Sequence, residues 1–230
     1  MASTKGMRVA SPKPRKRWLK INPFVYPTVK PTYLKRPQSL PAAKFTNVLL
    51  NRRSRRQFRP LSEGTLSTLL WLAAKTRETT VYRSEIIHQH RSAPASGGVH
   101  AIDIIVIRRL PVRWAVFLYD PGAHALVRLA IRRSCLAAML REVRAIVPIG
   151  DATVLWMVGD LGRLRARYLN ERSLIWRDAG TLLATLCLVS EALRLAACPL
   201  GGLAEPWLSR MLGGQGKLSS LGGLLVGERD

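Results

Sequence analysis

The strongest constraint on the fold is a long apolar segment at residues 174–197. Its apolar residues recur at helical spacing on nearly all faces, so the predicted helix has to be surrounded by other elements. Asp178, Glu191 and Arg194 lie in or beside the segment. Charges at these positions argue against a membrane span. The pattern therefore predicts a buried central helix.

Strand patterns predict the sheet on which this helix packs. Residues 101–108 form a β-branched run, and residues 154–158 form a second apolar run. Two further runs, at 115–119 and 125–129, flank Asp120-Pro121-Gly122, whose residue types favour a turn. We therefore expect two core strands and a hairpin.

Shorter elements complete the prediction. Ser62 precedes an amphipathic segment and is expected to cap its helix, and residues 47–53 favour a short helix before it. Residues 222–227 favour a short last strand. The order of helices and strands is typical of an α+β fold with a mixed central sheet flanked by helices.

The amino-terminal residues differ sharply in composition from the rest. Residues 1–62 contain sixteen Lys or Arg and no acid, within a chain of formal net charge +23. Prolines at high density prevent a helix, so residues 1–44 are expected to form a basic extended arm before a domain at 45–230. Such an arm is either disordered or laid across a partner surface.

The charge favours acidic or phosphate-bearing partners. Nucleic acid is not expected, because zinc-finger spacing, aromatic RNA-binding signatures and basic heptad helices are missing from the sequence. The three cysteines form no CxxC pair, no metal site is expected, and no apolar signal segment follows the basic residues near Met1. These features predict a cytoplasmic protein without a membrane partner.

One candidate anion site lies in the basic run at residues 52–58. Arg52, Ser54 and Arg56 occupy alternate positions, so in an extended segment their side chains can converge on one phosphate. The alternative is that these residues merely continue the basic arm.

Two glycine-containing segments can bring backbone N–H groups close to a flat ligand. The first segment contains Pro94, Ala95, Ser96, Gly97 and His100, directly before a predicted strand. An ordinary turn and a structural histidine are the alternatives there. The second segment is Gly201-Gly202, whose alternative is the carboxyl-terminal cap of the long helix.

Taken in order, these segments resemble the nitroreductase superfamily over residues 45–227. The motifs are R-x-S-x-R-x-F at 52–58, P-x-S-G-G-x-H at 94–100 and P-x-G-G at 199–202. The resemblance implies FMN as the cofactor and a homodimer with FMN at its interface. Arg52, Ser54 and Arg56 would hold the phosphate, the turn from Pro94 to Gly97 would line the flavin, and Gly201 and Gly202 would lie near its N5 edge. Arg229 would supply a further basic contact.

A narrower resemblance is to the streptolysin- and microcin-type azoline dehydrogenases of thiazole/oxazole synthetases. It rests on Y-D-P-x-x-H-x-L at 119–126 and on Arg167-Tyr168, which stands where that group has a catalytic Lys-Tyr pair. The resemblance implies an FMN-dependent dehydrogenase that oxidises azoline rings to azoles in a modified peptide, with cyclodehydratase or synthetase subunits as partners.

Arg167 departs from the pattern. Arginine stays protonated in proteins and cannot act as a base. We therefore expect Tyr168 to accept the proton and Arg167 to support its phenolate by charge. The alternative is an ordinary surface pair at these two positions.

Two other functions fit the same sequence. One is an NAD(P)H-dependent nitro-, quinone- or ene-reductase of the same superfamily. The other is a flavin-poor structural subunit of a peptide-modifying complex. The basic arm, and Arg167 in place of the catalytic lysine of the azoline dehydrogenases, are consistent with this second function.

Overall fold

The computed structural model describes residues 10–82, 85–111, 113–214 and 216–230. The helices of these residues are α1 (Phe45–Asn51), α2 (Glu63–Ala74), α3 (Arg133–Ile146), α4 (Leu161–Arg165), α5 (Arg172–Ala192) and α6 (Trp207–Leu212). The strands are β1 (Lys13–Pro14), β2 (Thr28–Tyr33), β3 (Glu78–Tyr82), β4 (Glu85–His90), β5 (Ile102–Arg109), β6 (Trp114–Asp120), β7 (Ala125–Leu129), β8 (Thr153–Asp160), β9 (Tyr168–Leu169), β10 (Ala196–Leu200) and β11 (Leu218–Gly227).

Seven strands form one sheet in the order β10-β11-β8-β5-β6-β7-β2. Each neighbouring pair in this sheet is antiparallel. The predicted α+β fold is confirmed, but the prediction of a mixed sheet is wrong for the part of the chain described here. The sequence patterns locate strands without fixing their directions. Two smaller antiparallel pairs, β1-β9 and β3-β4, lie outside the large sheet.

Strand β5 shows why the sheet is buried on both faces. Ile104 and Val106 point into one core, which also contains buried residues of α2 and α5. Ile105 and Ile107 point into a second core with buried residues of α3 and α6. Successive side chains of a strand alternate between faces, so an uninterrupted apolar run suits a strand covered on both sides.

The local predictions with clear side-chain signals are confirmed. The Oγ atom of Ser62 accepts a hydrogen bond from the Thr65 amide at 3.0 Å and caps α2. Asp120 Oδ1 accepts from the amides of Gly122 at 2.8 Å and Ala123 at 3.0 Å, and thereby closes the β6-β7 hairpin. These interactions join residues two or three positions apart, which sequence patterns capture well.

The central helix ends earlier than predicted. Helix α5 stops at Ala192, Arg194 has a left-handed φ of 55°, and β10 begins at Ala196. The apolar residues continue across this turn, so the periodicity alone does not mark the end. Gly201 and Gly202 therefore follow a strand, and their alternative interpretation as a helix cap is wrong.

Residues 10–44 lie on the chain's own domain rather than apart from it. Strand β2 forms the sheet's edge beside β7, and β1 pairs with β9. The division of the chain at residue 44 stays a prediction about its organisation. Among the described residues, we find no helix with the length and apolarity that crossing a bilayer requires.

Candidate active site

The basic segment after α1 runs beside the end of the chain. The Arg55 amide donates to the Ala197 carbonyl at 2.9 Å, and the main chains of Arg59 and Glu228 form an antiparallel β-bridge. The segment borders an open cavity of about 480 Å³ lined by Arg55, Arg56, Gln57, Ala196, Arg229 and Asp230. Two of the residues predicted to hold a phosphate, Arg56 and Arg229, therefore border one space.

A partly buried carboxylate, that of Glu191, organises a basic cluster that consists of Arg52, Arg55, Arg56 and Arg229. Glu191 Oε2 accepts from Arg55 Nη1 at 2.7 Å and from Arg229 Nη2 at 2.6 Å. Within the described ranges, Arg52 and Arg56 form no ion pair, and both are exposed. Sequence analysis missed Arg55 and Glu191, because the two residues lie 136 positions apart and carry no motif linking them.

The predicted glycine turn is held by helix α5. Asp178 accepts from the Ser96 amide at 3.1 Å and from its hydroxyl at 2.8 Å. The Thr181 hydroxyl donates to the Pro94 carbonyl at 2.7 Å. Burial raises the pKa of Asp178 above its usual value, and the hydrogen bonds from Ser96 offset only part of this increase. The turn is thus fixed in place by a carboxylate from the central helix.

Tyr168 is brought to this turn. Its hydroxyl lies so close to Gly97 that a Cβ atom at that position would collide with it. Gly97 also has a φ of 57°, a left-handed conformation that favours glycine. Two segments predicted separately, the turn and the Tyr168 segment, therefore meet within one chain.

Arg167 contacts the amino-terminal residues. Its guanidinium carbon lies 4.2 Å from the centre of the Trp18 ring, and 5% of the residue is exposed. Such stacking is a favourable cation–π contact. The predicted support of Tyr168 by the Arg167 charge stays a prediction.

His100 is buried and hydrogen-bonded. Its Nε2 atom lies 2.9 Å from the Gln89 carbonyl oxygen, which can only accept, so Nε2 carries the proton. Burial, and secondarily the charge of Arg91, lower the pKa of His100 to about 4. His100 is therefore neutral near pH 7. It borders a larger cavity, of about 760 Å³, which Arg167 and Tyr119 also line.

The Y-D-P-x-x-H-x-L motif forms a buried hydrogen-bonded clamp. The Ser67 hydroxyl donates to the Lys35 carbonyl, so its oxygen accepts from His124 Nε2 at 2.9 Å. His124 Nδ1 then accepts from the Tyr119 hydroxyl at 2.8 Å. Burial lowers the pKa of His124 to about 4 and raises the pKa of Tyr119. These side chains fix the hairpin to α2.

Strand β10 connects two of the predicted clusters. Its first residue, Ala196, lines the basic cavity, and Gly201 follows its last residue. Five residues of strand span about 17 Å. A Cβ atom at Gly201 would meet open space, so its backbone is accessible, whereas one at Gly202 would press on Ile146.

The glycine turn lies farther away within the same chain. Asp178 binds the turn and Glu191 binds the basic cluster, thirteen residues apart along α5. At 1.5 Å per residue, the two carboxylates are separated by about 20 Å along the helix axis. Within one chain, Gly201 therefore lies about 17 Å from the basic cavity along β10, and the glycine turn lies about 20 Å from the basic cluster along α5.

Comparisons with known proteins identify the family. The model of the nitroreductase family matches residues 49–228, and the chain belongs to that family. No curated protein sequence matches significantly.

Solved structures show the same fold at low identity. A protein provisionally described as a nitroreductase from Ralstonia eutropha shares 21% identity at a TM-score of 0.66, over 96% of this chain and 99% of that chain. A second such protein, from Anabaena variabilis, shares 19% at 0.60, over 81% of this chain but 38% of that one. The E. coli microcin synthetase McbBCD complex shares 17% at 0.58, over 86% and 78%.

Family membership confirms the predicted class, an FMN-dependent oxidoreductase, and FMN as its cofactor. The residues present fit this cofactor. The exposed guanidiniums of Arg52 and Arg56 suit a phosphate, and the accessible backbone of Gly201 suits the close approach of a flat ring. Which residues contact FMN stays a prediction.

Proposed function

We propose that this chain is a dehydrogenase that uses FMN to oxidise azoline rings to azoles in a ribosomally made, modified peptide. The observation that carries the proposal is the placement of Tyr168, whose hydroxyl reaches the turn predicted to line the flavin. The shared fold of the microcin synthetase McbBCD complex, captured with truncated pro-MccB17 bound, gives further support.

The reaction removes a proton and a hydride from neighbouring ring carbons. FMN, when bound, supplies the hydride acceptor. Tyr168 accepts the proton, because Arg167 stays protonated and has no lone pair to offer. Arg167, next in sequence, is part of the same proposal as a positive charge that supports Tyr168. An azole and a two-electron-reduced cofactor are the products.

The site is proposed to form between two copies of the chain. Within one chain, the Asp178 and Glu191 carboxylates that hold the turn and the basic cluster lie about 20 Å apart along α5. In a homodimer, the basic cluster and Gly201 of one protomer can face the Tyr168-Gly97 pair of its partner. Twofold symmetry then produces two equivalent sites.

The test is anaerobic flavin reduction by an azoline peptide. The purified chain is reconstituted with FMN and mixed with the peptide, and the loss of flavin absorbance is followed in wild type, Tyr168→Phe and Tyr33→Phe. Tyr33 is a matched control because it is an exposed tyrosine on the edge strand β2. We expect reduction at least about 100-fold slower in Tyr168→Phe alone, as for loss of a general base.

Two outcomes would contradict the proposal. Unchanged reduction in Tyr168→Phe removes this residue from the mechanism. Rapid reduction by NADH or NADPH, with none by the peptide, assigns the chain to the nitro-, quinone- or ene-reductases instead.

A further inference from the structure

The segment that carries Tyr168 is covered by the chain's own residues 11–19, which we name the strap. Lys13 and Pro14 of the strap pair with Leu169 and Tyr168 in an antiparallel ladder. The Arg15 amide donates to the Arg167 carbonyl at 2.8 Å. The strap therefore occupies the hydrogen-bonding edge directly beside the proposed catalytic residue.

Main-chain groups dominate this attachment. The Leu19 amide donates to the Ala166 carbonyl at 3.0 Å, and the Asn170 side chain donates to the Ser11 carbonyl at 3.2 Å. Two further side-chain contacts are the stack of Arg167 on Trp18 and the hydrogen bond that Arg15 Nε donates to the Arg165 carbonyl at 2.6 Å. Pairing through main-chain groups accepts many sequences, so another extended segment can make the same bonds.

The strap and the surface beneath it carry charge of the same sign. The strap has four cations and no acid, namely Lys13, Arg15, Lys16 and Arg17. Beneath it lie arginines 163, 165, 167 and 172. Arg163 pairs with Asp103 at 2.8 Å and with Asp160 at 3.4 Å, and Arg165 pairs with Glu171 at 2.8 Å. Four arginines against these three carboxylates leave a smaller positive charge, +1, beneath a strap of +4. Within the described residues, none of the four strap cations forms an ion pair. Like-charge repulsion therefore weakens the attachment of the strap, whose ladder joins only two residues of each strand.

We propose that residues 166–169 form a binding edge for an acidic, extended peptide, which adds as a strand in place of the strap. An acidic peptide makes the same main-chain hydrogen bonds and replaces repulsion by attraction to the arginines beneath. The inference deepens the proposed function, because the bound peptide would pass Tyr168. The strap competes with the peptide for this edge, so the free energy needed to displace the strap lowers the apparent affinity for the peptide.

A disulfide across the ladder tests the proposal. Lys13 and Leu169 are register partners. Antiparallel partners have Cα atoms about 4.5–5.5 Å apart, which a disulfide spans. The pair Lys13→Cys and Leu169→Cys therefore locks the strap when oxidised and frees it when reduced. The native cysteines 135, 187 and 198 are buried and unpaired, and are not expected to interfere.

The probe is a fluorescein-labelled decapeptide of alternating Glu and Thr, and its binding to the full chain is measured by fluorescence anisotropy. We expect the oxidised variant to bind at least about tenfold more weakly than the same protein after reduction. The single variant Lys13→Cys is the matched control, and its affinity for the acidic peptide should be the same after oxidation and after reduction. A decapeptide of alternating Lys and Thr should bind more weakly than the acidic one.

A charge variant gives a second test without cysteine chemistry. Lys16→Glu with Arg17→Glu should strengthen the strap's own contact and lower the affinity for the acidic peptide. Equal binding in the oxidised and reduced states, or equal binding of the basic peptide, would overturn the inference. The readout needs no flavin turnover, so this failure is distinct from failure of the proposed dehydrogenase activity.

Discussion

The phenolic hydroxyl of Tyr168 packs against the backbone of Gly97, at a point where a side chain on residue 97 would overlap it. The two residues are 71 positions apart in sequence. Asp178 fixes the turn from the central helix, while the β1-β9 ladder fixes the tyrosine segment. The contact gives the proposed proton acceptor a defined position beside the predicted flavin-lining turn.

Replacement of Gly97 is expected to disturb both stability and chemistry. Gly97→Ala adds a Cβ atom that collides with Tyr168, at a residue whose φ is 57°. We expect a loss of about 1–3 kcal/mol in the free energy of unfolding, measured by urea titration. Gly64→Ala is the control, since a Cβ atom there meets open space on α2. A Gly97→Ala protein as stable and active as wild type would contradict the contact.

The basic cluster should recognise the phosphate of FMN specifically. Arg56→Ala removes an exposed guanidinium that borders the basic cavity. Since a charged hydrogen bond contributes about 1.5–3 kcal/mol, FMN affinity should fall by one to two orders of magnitude. Riboflavin, which lacks the phosphate, should bind equally to variant and wild type in fluorescence titrations. Arg53→Ala is the control in the same segment, and equal losses for both ligands would place the phosphate elsewhere.

A site shared between protomers predicts complementation. Arg56→Ala damages the basic cluster and Tyr168→Phe damages the opposite half of the proposed site. The two variants are co-expressed and assayed at an FMN concentration that fills wild type but not Arg56→Ala, so each mixed dimer has one intact site. Random pairing makes half the dimers mixed, so about a quarter of wild-type flavin reduction should return. Activity no greater than the sum of the separate variants would argue for a site within one chain.

Acid should destabilise the fold through two buried histidines. Burial lowers the pKa of His100 and of His124 to about 4. Because unfolded histidine titrates near 6.5, the unfolded chain binds more protons as pH falls from about 6.5 to 4, and stability is lost over that range. The raised pKa of Asp178 acts in the opposite direction.

Urea titrations at several pH values between 7.5 and 4 measure this effect. His124→Gln should lower stability at pH 7.5, since it disrupts the clamp with Ser67 and Tyr119, and should flatten the fall towards pH 4. His90→Gln serves as the control because His90 is exposed. If the stability of His124→Gln falls as steeply towards pH 4 as that of wild type, His124 does not contribute to the acid sensitivity.

Features carried by neighbouring residues were predictable. Ser62 signals its helix, Asp120 signals its turn, and the β-branched run at 101–108 signals a strand. The motif at residues 119–126 was visible too, but its buried clamp became apparent only when Ser67 joined Tyr119 and His124.

The sequence by itself determined helix α2, the core strands β5 and β8, the β6-β7 hairpin, the family resemblance and the residue types available for phosphate binding and proton transfer, because each depends on local spacing. Only the tertiary structure decided that Glu191 holds Arg55 and Arg229, that Tyr168 meets Gly97, and that the strap pairs with β9. These contacts join residues far apart in the chain. Their formation depends on how the sheet and α5 pack, which no local pattern encodes.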